Sequence, residues 1–154
     1  MRYVMLDRIT QFDPPRMAKG VKCVSLSDDV FNEHFQGHPV MPGALVLESL
    51  AQLGGALLEG SLQAQGRELH AILSMSDRAR FRRMVRPGDR IELEAHVLSL
   101  HEEGGQVKGS ATVEGVLVAE AELGFAFTAV KNASILQWRR NQMKIWLAGT
   151  IEDP

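Results

Sequence analysis

In the segment VLVAEAELGFAFTA, residues 116–129, apolar side chains fall at every second position: Leu117, Ala119, Ala121, Leu123, Phe125, Phe127 and Ala129. Glu120, Glu122 and Thr128 fall in the alternate set. A period of two marks a strand with one buried face. A strand of this length runs roughly 40 Å at about 3.3 Å per residue, and a small domain needs one that long when its sheet wraps around something. The chain offers one candidate for the wrapped element. From Ala44 onward, Leu45, Val46, Leu47, Leu50, Ala51, Leu53, Ala56, Leu57 and Leu58 surround a helix instead of striping one face. A helix apolar almost all round is a buried helix. Pro42 stands just before it, where a helix start tolerates proline. The expected fold class is α+β, with a long antiparallel β-sheet wrapped around one buried central helix.

MRYVMLDRITQFD reads as a short helix or turn-rich start, ended by Pro14-Pro15. GVKCVSLS reads as a strand, and residues 31–43 as a loop. HAILSMS and ARFRRMV are candidate strands. RIELEAHVLSL alternates Ile91, Leu93, Ala95 and Val97 against Glu92, Glu94 and His96, then slips phase at Leu98, which points to a bulge or the strand's end. Pro87-Gly88-Asp89, Gly104-Gly105 and Glu114-Gly115 are turn signals. The 154 residues suit one core. A net charge of -2 argues against bulk nucleic-acid binding. The single Cys23 excludes an intrachain disulfide and a Cys-based metal site, and no His pair has metal-ligand spacing. No leader-like or membrane-spanning run is visible, so a cytoplasmic location is the expectation.

Chemistry concentrates in FNEHFQGHPVMPGALVLESLAQLGGALL, residues 31–58. Glu48 interrupts the apolar helix. Burial disfavours a charged carboxylate, and a carboxyl that keeps its proton is a usable general acid. His34, in the loop, is a candidate base. The helix start at Gly43 offers unpaired N–H groups and a positive dipole end to a carbonyl oxygen gaining negative charge. Acid, base and oxyanion donor together fit proton abstraction beside a carbonyl with loss of a leaving group. The plain alternative is a Glu satisfied by a core hydrogen bond and a His packed in a loop.

The gapless run EHFQGHPVMPGALVLESLAQ resembles the motif of the beta-hydroxyacyl-acyl carrier protein dehydratases of fatty acid synthesis, a family with the hot-dog fold. RYVMLDRITQFDP, DRARFRRMVRPGDRIELE and GSATVEGVLVAEAEL extend the resemblance over roughly residues 1–130. It implies that His34, not His38, is the catalytic base, that Glu48 is the acid, and that the Gly43 N–H polarises the thioester carbonyl. Phe35, Val40, Met41 and Pro42 would line the substrate site. It further implies an acyl carrier protein as partner, no metal or redox cofactor, and a homodimer or a trimer of such dimers. Glu33, Gln36 and Met84 depart from the family's Gly, Pro and Pro. A hot-dog acyl thioesterase and a non-catalytic acyl-binding paralogue remain the alternatives.

Two features lie outside that motif. Arg78, Arg80, Arg82 and Arg83 head a run of six arginines ending at Arg90. They form either a solvated strand face with cross-strand Glu partners or a patch for the acidic carrier. The tail divides from the 1–130 domain as a 131–154 extension. Its SILQWRRNQMKIWL reads as a helix capped by Ser134 and stopped by Gly149, docked on a sheet through its apolar residues, with Arg139, Arg140 and Lys144 toward solvent.

Overall fold

The computed structural model describes residues 2–150. Strands β1 (Arg8–Asp13), β2 (Met17–Cys23), β3 (His70–Phe81), β4 (Arg90–Leu100), β5 (Gly104–Val113) and β6 (Val116–Thr128) form one antiparallel sheet in the order β1-β2-β4-β5-β6-β3. Helix α1 (Gly43–Ala64) packs against all six strands. The long alternating strand and the all-round apolar helix are therefore the two halves of one core. Leu50, Leu53, Leu57, Leu58 and Leu62 of α1 are fully buried, as are Ile91, Val107 and Leu123 of the sheet. Helix and sheet approach closely because the contact positions are small. A Cβ on Gly54 would stand 2.7 Å from Val107 Cγ2, and one on Gly109 would stand 3.2 Å from Leu50. Gly66 (φ 72) ends α1: its N–H donates to Gln63 O and the Arg67 N–H to Leu62 O, which satisfies two of the last free carbonyls.

Several local expectations are corrected. The start of the chain is neither helical nor turn-rich after Asp7. Ile9 is buried on the sheet's inner face, and β1 pairs with β2 across the Pro14-Pro15 turn. Gly104-Gly105 opens β5 instead of forming the turn, since both residues already pair with β6. HAILSMS and the start of ARFRRMV are one strand, β3, bent where the register with β6 shifts between Asp77 and Arg80 and Arg78 takes φ 51. The phase slip in RIELEAHVLSL is a register shift between Val97 and Ser99. Glu114-Gly115 forms the β5–β6 turn, with φ 49 and 78 as a type I′ turn requires.

Helix α2 (Ala133–Leu147) follows β6 and lies against β1. Its cap is Asn132, not Ser134: the Asn132 side-chain oxygen accepts from the N–H groups of Ser134 and Ile135, at 2.9 and 3.2 Å. Met143, Trp146 and Leu147 pack on the core, and the Trp146 indole N–H donates to Leu6 O at 2.7 Å. Arg140 and Lys144 are exposed as expected, but Arg139 is not turned out to solvent. Its guanidinium pairs with the buried Glu59 of α1. A buried carboxylate needs a partner more than the surface needs another cation.

Candidate active site

The loop before α1 is built to hold one imidazole. After a single 3-10 turn (Asp29–Asn32), the chain folds back on itself: Phe35 and His38 exchange backbone hydrogen bonds around Gly37 (φ 73). The Val40 N–H donates to His34 O at 3.0 Å, and His34 Nδ1 lies 2.7 Å from Val40 O. A carbonyl can only accept, so Nδ1 carries the proton and the neutral ring presents Nε2 as its basic nitrogen. The Phe35 ring stacks on the imidazole at 3.9 Å, and the His34–Phe35 peptide is cis. His38 is exposed on the turn, and its ring makes no such bond among the described residues. Glu33 is exposed with φ -120, an ordinary angle for a side-chain-bearing residue, so the departure from Gly at this position costs the backbone nothing.

The Met41 N–H donates to Val85 O, which anchors the loop to the segment after β3. Pro42 is the N-cap of α1 and offers no side-chain acceptor. The first helical N–H groups, those of Gly43 and Ala44, therefore have no hydrogen-bond acceptor among the described residues. The Phe81 ring lies over Gly43, where a Cβ would stand 2.9 Å from the ring carbons, so only glycine fits there without displacing Phe81. Val40 and Met41 are buried, and Phe35 is half exposed.

Glu48 sits one and a half turns into α1. It is half-buried, less enclosed than an apolar helix predicts, because it opens into a cavity instead of packing against the sheet. Gln52, one turn on, donates its Nε2 to Glu48 Oε1 at 3.0 Å and to Tyr3 O at 3.0 Å, while its Oε1 accepts from the Met5 N–H at 2.9 Å. With all its polar partners fixed, Gln52 orients the carboxyl. The i, i+4 spacing makes Gln52 readable from sequence, but Tyr3 and Met5 are not. The cavity, ≈ 440 Å³, runs from Glu48 along α1 to Glu59, between Leu73 and Phe125 of the sheet and Trp138, Met143 and Trp146 of α2. His34 does not line it. A single chain thus presents the imidazole and the carboxyl without enclosing them in one cavity.

Of the arginines, Arg82 pairs with Glu120 at 2.7 Å and holds that carboxyl below its ordinary value. Arg78 lies 3.9 Å from Glu122, and Arg80 and Arg83 are exposed. The cross-strand partners are thus on β6. Glu92, on β4, pairs instead with Arg90 on its own strand.

A long antiparallel sheet around one central helix defines a hot-dog protein. Solved structures share the fold: the dehydratase heterocomplex ApeI:P from Xenorhabdus doucetiae (TM-score 0.68, 17% identity, 90% of each chain) and a hypothetical thioesterase with coenzyme A from Streptococcus pneumoniae (TM-score 0.63, 14% identity, 81% of this chain and 88% of that one). A family model described as a FabA-like domain matches residues 1–122. The chain is 39% identical over 124 residues to the 3-hydroxyacyl-acyl-carrier-protein dehydratase FabZ of Bacillus subtilis, covering 80% of this chain and 86% of that one. It is 41% identical over 124 residues to its counterpart in Geobacillus thermodenitrificans, covering 80% and 84%. The chain belongs to the FabA-like dehydratase family. The family model stops at residue 122, ahead of α2.

Proposed function

We propose that the chain is a lyase that removes water from (3R)-3-hydroxyacyl thioesters on acyl carrier protein, giving trans-2-enoyl thioesters in acyl-chain synthesis. Relatives about two-fifths identical over four-fifths of the chain carry that name, and the clamp of His34 on Val40 O carries the chemistry. His34 Nε2 takes the C2 proton. The C2 electron pair becomes the C2–C3 double bond as the C3–O bond breaks, and protonated Glu48 gives its proton to the departing hydroxyl, which leaves as water. The Gly43 N–H, at the positive end of α1, holds the thioester oxygen as charge builds on it. Gln52 keeps the Glu48 carboxyl aimed, and Phe35, Val40, Met41 and Pro42 line the approach.

The reading includes a homodimer in which His34 of one chain faces Glu48 of the other. Two observations support this: His34 lies outside the cavity that Glu48 lines, and β3 is an edge strand with Ile72, Leu73, Met75 and Phe81 exposed. Such an apolar edge needs a cover. Arg80 and Arg83, with Arg78 and Arg82 beside them, offer charge to an acidic carrier. No described helix is long and apolar enough to cross a membrane, and the reading places the enzyme in the cytoplasm. Residues 1–130 are the catalytic domain and 131–154 an extension whose helix α2 docks on it, residues 151–154 lying outside the described residues.

Incubation with a carrier-linked 3-hydroxyacyl thioester, followed by intact-mass spectrometry, tests the reading. Loss of one water, reversible on adding enoyl thioester, is expected. Release of free carrier thiol would assign a thioesterase instead, and an unchanged mass would leave only acyl binding.

A further inference from the structure

The cavity beyond Glu48 is lined mostly by apolar side chains, with Arg2, Gln52 and Gln142 among them, and has a charged end. Leu73, Phe125, Trp138 and Trp146 line its sides. At the far end Glu59, 7% exposed, accepts from the Ala71 N–H at 3.0 Å, lies 3.3 Å from His70 Nδ1 and pairs with Arg139 of α2. The far wall is therefore supplied by the helix that follows the region matched by the family model.

Building on the dehydratase reading, we propose that this cavity receives the substrate's acyl tail and that Arg139, pinned by Glu59, is an end-stop that sets the longest chain the enzyme accepts. Glu48 addresses C3 of the substrate, so the carbons beyond C3 must leave along a path that starts at Glu48. The cavity is the apolar path that does so. Glu48 and Glu59 are eleven residues apart on α1, which is roughly 16 Å along its axis, and an extended tail of roughly twelve methylenes fills that span. A longer tail meets a guanidinium and a carboxylate already desolvated together. Arg139 Nε is buried with no acceptor among the described residues, and a methylene cannot supply one. Separating the pair to make room would leave a buried carboxylate without its cation, which is the costly outcome. Short and medium chains are thus accepted and long ones are refused, with Arg139 acting on specificity and not on the chemical step.

The test uses the full chain and carrier-linked 3-hydroxyacyl substrates of four, eight, twelve and sixteen carbons, with kcat/KM measured for each. The wild type should fall by about tenfold or more between twelve and sixteen carbons, since an unaccommodated methylene costs that much discrimination. Arg139→Ala, and the double variant Glu59→Gln with Arg139→Ala, should raise the sixteen-to-four-carbon ratio by about tenfold. In the double variant the new amide can still accept from the Ala71 N–H without needing a cation, which guards against loss of folding. A wild type that processes sixteen carbons as readily as four overturns the end-stop whatever the variants do. So does an unchanged ratio in a variant whose melting curve shows it folded. A wild type inert toward every length, four carbons included, fails at the dehydratase reading itself and takes the end-stop with it.

Discussion

At the scale of single residues, the site rests on how two side chains are held. His34 is held by one carbonyl, Val40 O, and Glu48 by one amide, Gln52. Glu48→Gln is nearly isosteric and should fold normally while kcat drops by about 10²–10⁴-fold, the usual contribution of a positioned acid. His34→Ala should lose as much, and His38→Ala should stay within a few-fold, because His38 lies exposed on the turn. A dead His38→Ala enzyme in the same mass assay would show that the base has been misassigned. Gln52→Ala should lower kcat with little effect on KM, since it frees the carboxyl without touching the thioester. His34 and Glu48, the proposed pair, were legible in sequence through the resemblance of the run that carries them. Glu59 was not, although it is more buried than Glu48. What makes it matter is Arg139, eighty residues away, and no local pattern records that pairing.

At the scale of elements, legibility followed the size of the inward-facing side chains. α1, β4 and β6 present large apolar residues at the right period and were read from it. β5 was not, because its inward positions include Val107, Gly109 and Ala111, kept small by the close approach of Leu50 and Gly54. β1 has only Ile9 and Phe12 to show, and its strand state comes from pairing with β2. For α2 the apolar residues were evident, but not which of them dock: Trp146 reaches Leu6 O while Ile135, Trp138 and Ile145 stay 48–62% exposed. Trp146→Phe keeps most of the apolar contact and removes the hydrogen bond, so it should cost about 1 kcal/mol in chemical denaturation. Cutting the chain after Val130 should lower the melting temperature, and an unaltered melting curve would mean that α2 contributes nothing to the fold. On the β3–β6 face, Arg82 depresses the Glu120 carboxyl. The folded value lies below the unfolded one, so the pair's contribution is present above the ordinary value of 4.5 and is lost as pH falls through the folded one. Arg82→Ala should move the Glu120 NMR titration up toward that ordinary value, with little change in melting because the pair is exposed.

At the scale of the whole molecule, the proposed reading makes one chain an incomplete enzyme. It contains a sheet edge with apolar side chains in water and a carboxyl-lined cavity that excludes the imidazole meant to work with it. A second copy meets both deficits at once if the two β3 edges meet and each loop delivers His34 to the other chain's Glu48. This arrangement was implied by resemblance and was not derivable from spacing, because sequence separation says nothing about which copy supplies a group. The central claim is thus that His34 and Glu48 form one catalytic centre across two chains. It is tested most directly by unfolding inactive His34→Ala and inactive Glu48→Gln proteins together, refolding them as a mixture, and assaying dehydration. Random pairing makes half of the dimers mixed, each with one of its two sites intact, so roughly a quarter of the wild-type activity should return. No recovery, with mixed dimers shown to be present by native mass spectrometry, would contradict the claim and place both groups of each site in a single chain.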